Sequence, residues 1–188
     1  LRDPKRRGLR MHQMQGRLWL PIRKGRIIGN FGIRKNRRFG TRTIHRGIEM
    51  IPDPTRKSER TRVRNIYWGY VSSVGCLKGL GKTVIVDHTR GYMTLYAHLS
   101  AIDAALQPGS WVARGQAIAA SGGTPGRDGV STGAHLHFEI LDSSGEPLDP
   151  GRFVRLLDTV RASDRAPQLA SQPFAPRAAA LAAPRAGQ

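Results

Sequence analysis

Residues 83–100 read TVIVDHTRGYMTLYAHLS, and this stretch carries the strongest indication of the fold class. Two runs rich in β-branched and aromatic residues, 83–86 and 92–96, lie on either side of a turn signal at Arg90-Gly91. Runs of this length and composition are typical of β-strands, and a glycine-bearing turn between them is typical of a hairpin. The stretch therefore predicts two adjacent strands of an antiparallel sheet.

The same pattern of short apolar runs separated by turn signals extends from Arg17 to about Leu157. Comparable runs occur at residues 26–28, 70–74, 111–112, 117–119 and 135–140, and turn signals occur at residues 79–81, 108–109 and 144–145. Many short strands at this spacing predict an all-β, antiparallel sandwich or barrel-like domain. Two segments differ: residues 52–65, which are polar with two prolines, predict an exposed loop, and residues 100–106 predict one helical turn capped by Ser100.

The chain of 188 residues is long enough for one domain with tails. We predict a basic N-terminal arm at residues 1–16, the β domain at residues 17–157 and a C-terminal tail at residues 158–188. Within the tail, residues 162–188 contain 10 Ala and 4 Pro and few large apolar side chains. A segment that can bury so little surface is predicted to be disordered.

Positive charge is concentrated in the first third of the chain. Residues 1–65 hold 20 Lys and Arg against 4 Asp and Glu, a net charge of +16, and the whole chain carries +18. Such a segment is either a solvated face or a binding surface for a polyanion, such as nucleic acid, anionic lipid or an acidic cell-wall polymer. Few aromatic residues are available there for base stacking and no binding motif is recognisable, so specific nucleic-acid binding is disfavoured.

Composition excludes two classes of structure. No apolar run approaches the roughly 18 to 20 residues that a membrane-spanning helix needs. Cys76 is the only cysteine, which excludes an internal disulfide framework and a cysteine-rich zinc site. Any metal site must therefore be built from histidine and carboxylate side chains.

Two spacings among the histidines suggest such a site. His45 and Glu49 are four residues apart, a spacing that brings two side chains to one face of a strand and equally of a helix. His135 and His137 are two residues apart, so on a strand both imidazoles project to one side and Leu136 projects to the other.

Two histidines and one carboxylate are a known ligand set for catalytic zinc (Zn2+), which keeps a fourth position for water. Bound to zinc, that water has a pKa near 7, so hydroxide that can attack an amide carbonyl exists at neutral pH. A further imidazole nearby would donate a hydrogen bond to the developing oxyanion or relay a proton. His98, in the segment 95–100, is the candidate for that role.

Several motifs occur in one order along the chain. They are Phe31-Gly32, His45-Arg46-Gly47-Ile48-Glu49, the stretch 84–100, Pro108-Gly109, Gly115-Gln116, Gly122-Gly123-Thr124 and His135-Leu136-His137-Phe138-Glu139. In this pattern the chain resembles the LytM/lysostaphin-type zinc metallopeptidases of the M23 family, a domain also found in murein hydrolase activators of the EnvC and NlpD type. The resemblance covers roughly residues 17–155.

The resemblance implies an antiparallel β domain with a long groove and a set of site residues. The metal ligands carried over are His45, Glu49 and His137, and the catalytic histidines are His98 and His135. His88 matches a position that is structural in the family. The family carboxylate is aspartate, whereas this chain has Glu49, whose side chain is one methylene longer.

Three functions follow as hypotheses. The first is a zinc-dependent endopeptidase that hydrolyses peptide bonds of peptidoglycan, in a periplasmic or extracellular location within the cell envelope. The second is a weak or inactive member of the fold that activates a separate cell-wall amidase, which the glutamate at residue 49 favours. The third is a protein that only holds peptidoglycan, with the basic arm as its electrostatic contact.

Overall fold

The computed structural model describes residues 18–35, 40–52, 62–89, 91–122 and 134–155. The predicted arm at residues 1–16 and the tail at residues 158–188 lie outside these ranges. One 3-10 turn, Pro150–Arg152, is the only helical segment described, and no helix in the described part of the chain could span a bilayer. The strands are β1 (Leu18–Trp19), β2 (Arg26–Gly29), β3 (Gly32–Lys35), β4 (Arg42–His45), β5 (Ile48–Ile51), β6 (Arg62–Arg64), β7 (Gly69–Leu77), β8 (Gly81–Asp87), β9 (Tyr92–Ile102), β10 (Trp111–Val112), β11 (Ala117–Ser121), β12 (Leu136–Asp142), β13 (Pro147–Leu148) and β14 (Val154–Arg155).

Ten of these strands form one sheet with the order β10-β7-β8-β9-β12-β5-β2, and every pairing in it is antiparallel. Strand β11 joins this sheet through β9 and pairs with β6 on its other side, and β13 pairs with β12. Strands β3 and β4 form a separate antiparallel hairpin, and β1 and β14 form a short parallel pair. The prediction of an all-β, antiparallel domain is confirmed.

The stretch 83–100 forms the β8–β9 hairpin at the centre of the sheet, with Val86 opposite Thr94. Alternating side chains of β9 enter two different hydrophobic clusters, because successive residues of a strand point to opposite faces. Tyr96 belongs to the larger cluster, whereas Leu95 and Ala97 belong to the smaller one. The sheet therefore buries apolar side chains on both of its faces at its centre.

Two local predictions are wrong. Residues 100–106 do not form a helical turn, because β9 continues to Ile102 and the Ser100 hydroxyl donates to the Ser121 carbonyl of β11 at 2.9 Å. The described end of the segment 52–65 is not an exposed loop, because β6 pairs with β11 and Val63 is completely buried, while residues 53–61 lie outside the described ranges. In both cases a strand distant in sequence supplies the partner that local composition does not reveal.

The register of three neighbouring strands sets the position of the candidate site. Glu49 of β5 lies directly opposite His137 of β12, which in turn lies opposite Ala97 of β9. On its other side Glu49 lies opposite Gly29 of β2. A carboxylate and an imidazole are thus adjacent on one face of the sheet, with a small residue on either side of them.

Candidate metal centre

The chain between His45 and Glu49 does not form one continuous element. His45 ends β4 in the separate hairpin, Glu49 lies in β5 of the main sheet, and the chain changes direction at Arg46-Gly47. The expectation that a shared strand or helix face brings the two side chains together is therefore wrong. They meet because the turn folds the end of the β3–β4 hairpin over the sheet.

Gly47 makes this turn possible. A Cβ built at residue 47 would lie 2.2 Å from the carbonyl oxygen of Phe138 in β12, closer than any real Cβ contact. Since the obstructing atom belongs to the main chain of a central strand, it could move aside only if the strand itself were displaced. The glycine in the segment 45–49 thus allows His45 to approach β12 closely.

The three predicted ligands meet at one point. His45 Nε2 lies 3.2 Å from His137 Nδ1 and 3.5 Å from Glu49 Oε1, and the three ligand atoms are all within 4.8 Å of one another. Ligand atoms about 2.0–2.2 Å from a tetrahedral zinc ion are separated from one another by roughly 3.3–3.5 Å. The two shortest separations in the cluster match that geometry.

The outer nitrogen of each imidazole fixes its tautomer. His45 Nδ1 lies 2.7 Å from the carbonyl oxygen of Asn30, which can only accept, so Nδ1 carries the proton. His137 Nε2 lies 2.8 Å from Glu139 Oε1, so this nitrogen is also the donor. A ligand histidine that donates its other N–H to a carbonyl or carboxylate is the usual arrangement around a metal ion.

The two inner nitrogens therefore face each other as bare lone pairs. Burial lowers the pKa of His45 below its ordinary value of 6.5 despite the opposing bond to Asn30, so its ring is neutral at pH 7. With one proton on each ring both inner nitrogens are acceptors, and two acceptors 3.2 Å apart repel unless a cation lies between them. The donor set of two imidazoles and a carboxylate thus fits zinc in its chemistry, and two of its three separations fit a tetrahedral site.

His135 and His98 complete the cluster. His135 lies immediately before β12, and its Nε2 is 4.0 Å from Glu49 Oε1. The His98 ring lies against His135 and His137, with centroid distances of 4.9 and 5.7 Å. All five predicted site residues are therefore brought together.

His98 has an unusual backbone and an unusual environment. Its φ of 55° is in the left-handed region, which a residue with a bulky side chain rarely adopts and which often marks a functional site. Burial, and then the neighbouring rings of His135 and His137, lower the pKa of His98 to about 4. The imidazole is neutral at pH 7 and can donate a hydrogen bond.

His88 lies apart from this cluster, as the sequence analysis expected for a structural histidine. It is completely buried, and its nitrogens contact the Trp68 carbonyl at 3.0 Å and Thr94 Oγ1 at 2.8 Å. Burial lowers its pKa to about 4, so it is neutral. The remaining histidine, His12, lies outside the described residues.

Comparison with known protein families gives the same assignment as the motifs. Residues 43–150, which include all five clustered residues, match the profile of Peptidase family M23. The chain belongs to peptidase family M23. The matched segment contains the candidate ligands His45, Glu49 and His137.

Relatives of the chain include both M23 enzymes and an activator. It is 35% identical over 130 residues to DD-carboxypeptidase/endopeptidase Mpg of Neisseria meningitidis, covering 69% of this chain and 27% of Mpg. It is 44% identical over 69 residues to peptidoglycan DD-endopeptidase ShyA of Vibrio cholerae, covering 37% of this chain and 14% of ShyA. It is 34% identical over 115 residues to murein hydrolase activator EnvC of Escherichia coli, covering 57% of this chain and 26% of EnvC. The chain spans about a quarter of the length of Mpg.

Solved M23 structures share the fold. A zinc-containing peptidase from Vibrio cholerae superimposes with a TM-score of 0.56 at 26% identity, covering 72% of this chain and 40% of that one. The catalytic domain of lysostaphin from Staphylococcus simulans superimposes with a TM-score of 0.51 at 25% identity, covering 68% of this chain and 89% of the lysostaphin domain.

Arg34 is a member of the site that the sequence analysis missed. Its Nη1 donates to Glu49 Oε1 at 3.1 Å, while its Nη2 lies 3.0 Å from His45 Nδ1, a contact without hydrogen-bond character because that nitrogen already donates to Asn30. Burial alone would raise the pKa of Glu49, but the bond and charge of Arg34 outweigh it and hold the pKa below 4.5. The only sequence signal was its position two residues after Phe31-Gly32.

Glu139 is the second residue missed. It is 3% exposed, it accepts from His137 Nε2, and its Oε2 lies 3.7 Å from Arg46 Nε. A signal for it was present, because residues 137 and 139 share one face of a strand and the motif around His137 ends on this glutamate.

Proposed function

We propose that the chain carries a zinc-dependent endopeptidase centre that hydrolyses peptide bonds of peptidoglycan. The observation that carries the proposal is the pair of bare imidazole nitrogens of His45 and His137, 3.2 Å apart with their outer N–H groups already bound. An arrangement of this kind is stable around a cation and is unfavourable without one. The enzymatic relatives Mpg and ShyA support the reaction class.

His45, Glu49 and His137 would hold the zinc ion, which when bound supplies an acidified water and polarises the scissile carbonyl. His135 Nε2 faces the carboxylate from 4.0 Å and would accept a proton from the attacking water and return it to the leaving amine. His98, neutral at pH 7, would donate a hydrogen bond to the oxygen on which negative charge develops.

Peptidoglycan is the proposed substrate because its stem peptides carry carboxylates and the first third of this chain is strongly basic. A location in the cell envelope, periplasmic or extracellular, follows from the same proposal. Two of the named relatives, a peptidoglycan endopeptidase and a murein hydrolase activator, agree with such a location.

The test combines metal content with cleavage. The protein, purified without a metal-chelating tag, is analysed for zinc at neutral pH, and its effect on the turbidity of purified cell walls is followed with and without chelator. We expect one zinc per chain and a chelator-sensitive loss of turbidity. A matched control is His88→Gln, which alters a buried histidine outside the cluster and is expected to keep zinc. A zinc-loaded chain that clears no walls would exclude the hydrolase.

A second candidate is the activation of a cell-wall amidase. It is favoured by Glu49 in place of aspartate and by the similarity to EnvC. Pull-down and activity assays with an amidase from the same source discriminate the two functions. Activation that survives His137→Ala, in a protein without cleavage of its own, would establish the activator and remove the need for a metal centre.

A further inference from the structure

Gly29 lies directly opposite Glu49 across the β2–β5 pair, and its missing side chain leaves the space that the glutamate carboxylate fills. A Cβ built at residue 29 would lie 2.5 Å from Glu49 Oε2 and 3.0 Å from its Cδ. Real Cβ atoms do not approach oxygen to 2.5 Å, so any side chain at residue 29 requires the carboxylate to move.

The backbone at Gly29 does not itself demand glycine. The residue ends strand β2, and its φ is not among the positive values that disfavour other residues. For a Cβ at Gly47 the two nearest atoms belong to the Phe138 main chain, whereas for a Cβ at Gly29 the three nearest atoms are all at the ends of the Glu49 and Arg34 side chains. The nearest obstacles to a methyl group at residue 29 are thus two flexible side-chain ends, so we expect the fold to accept it and the carboxylate to move.

Arg34 and Glu49 occupy the space above Gly29 as an ion pair. Arg34 Nη2 would lie 2.5 Å from the same built Cβ, and Arg34 Nη1 donates to Glu49 Oε1 at 3.1 Å. The carboxylate thus leans across β2 while its Oε1 stays 3.5 Å from His45 Nε2. An aspartate carboxylate is attached one methylene nearer to the β5 backbone, so it would not extend over residue 29.

We propose that Gly29 is a positioning residue of the metal centre: the absence of a side chain opposite residue 49 allows a glutamate to supply the carboxylate ligand. This inference rests on the proposed function, because it takes His45, Glu49 and His137 as ligands. It predicts an energetic coupling between residues 29 and 49 that a purely structural glycine would not produce.

The test is a double-mutant cycle on zinc affinity. Dissociation constants are measured by competition with a chromophoric chelator for the wild type, Gly29→Ala, Glu49→Asp and the double variant. We expect Gly29→Ala to weaken zinc binding by about tenfold or more, as the loss of an orienting contact does at other metal sites. In the Glu49→Asp background the same change should alter the affinity by no more than about twofold, the range of uncoupled sites.

Two measurements separate positioning from folding. The thermal midpoint of the metal-free Gly29→Ala protein should stay close to that of the wild type. Gly75→Ala is the matched control, because Gly75 lies in strand β7 with ordinary φ and a Cβ there would contact nothing within 4 Å. Its zinc affinity should be unchanged.

The possible results distinguish this inference from the proposed function. Equal losses of affinity for Gly29→Ala in both backgrounds, or no loss in either, would overturn the positioning role and leave the zinc enzyme intact. A wild-type chain that binds no zinc would overturn both together. Rescue of Gly29→Ala by Glu49→Asp is the result that supports the proposal.

Discussion

His88 in the core and His137 in the metal centre are both almost completely buried, yet their nitrogens face different partners. His88 Nδ1 donates to the Trp68 carbonyl, and its Nε2 lies 2.8 Å from Thr94 Oγ1, so both nitrogens have hydrogen-bond partners within the chain. His137 has one nitrogen bound to Glu139, while the other faces the lone pair of His45.

The difference shows that the direction of the lone pairs, more than burial, separates a structural histidine from a candidate ligand. Around His88 the polar chain continues through Thr94 and the Tyr96 hydroxyl to Asn65, and each member has a partner. Such a closed network stabilises one packing arrangement of the core. In the cluster at residues 45 and 137, by contrast, the acceptors converge, an arrangement that a bound cation would stabilise.

Removal of the His137 imidazole should give the largest effect. With three protein ligands sharing a binding free energy on the order of 10 kcal/mol, His137→Ala should weaken zinc binding by about 10²-fold or more. Wall cleavage should be lost with the metal. Equilibrium dialysis followed by elemental analysis measures the first effect, and cell-wall turbidity measures the second. Full zinc retention by His137→Ala would show that the ligand is wrongly assigned.

His98→Ala should separate rate from metal binding. The ring lies beside the ligand set and is neutral, so its removal should leave the zinc stoichiometry unchanged. Loss of one hydrogen-bond donor to a developing oxyanion lowers a rate by about 10²–10³-fold. Single-turnover cleavage of a defined stem peptide by zinc-saturated protein checks this expectation. If zinc were lost in proportion to the rate, His98 would have to be treated as a ligand.

Much of the fold could be predicted because its signals are local. The runs at 83–86 and 92–96 form β8 and β9, and the run at 135–140 forms most of β12. The motif order also identified the family and the five residues that the structure brings together, although their individual roles stay predictions. Alternation of apolar residues along a strand depends only on the pleat, so it can be read from the sequence.

The features that could not be predicted depend on contacts between distant segments. The close approach at Gly47 is to the Phe138 carbonyl, which is about 90 residues away in sequence. Arg34 reaches Glu49 only because the β3–β4 hairpin folds over the sheet. Ser100 fails to cap a helix because β11 offers its hydroxyl an acceptor. Each of these outcomes requires the sheet order, which local patterns do not contain.

The pH dependence of stability should report on the core histidine. The pKa of His88 is about 4 in the folded protein and 6.5 without the fold, so below pH 6.5 the unfolded chain takes up a proton that the folded chain does not. The free energy of unfolding should therefore fall as the pH falls from 6.5 to 4, by about 3 kcal/mol from this residue. Above pH 6.5 the contribution is fully present.

Urea unfolding of the metal-free protein at several pH values measures this effect. His45 and His98 also have lowered pKa values and add slope of the same sign, so the contribution of His88 is the difference between the wild type and His88→Gln. The variant keeps an amide that can donate to Trp68 but does not titrate. Identical pH slopes in the two proteins would mean that the core network tolerates a charged imidazole.

The smallest effect is expected at Glu139, which acts on zinc only through His137. In Glu139→Gln the amide oxygen can still accept a hydrogen bond from His137 Nε2, so the tautomer is kept. The negative charge that makes the imidazole a more basic metal ligand is lost. Zinc affinity should fall by about tenfold, at the lower end of the range for such contacts. Glu146→Gln, an exposed acid beside the β12–β13 turn, is the matched control and should bind zinc as the wild type does. Since Glu139 also faces Arg46, a loss of stability without a change in zinc affinity would assign its carboxylate to that ion pair and not to the metal centre.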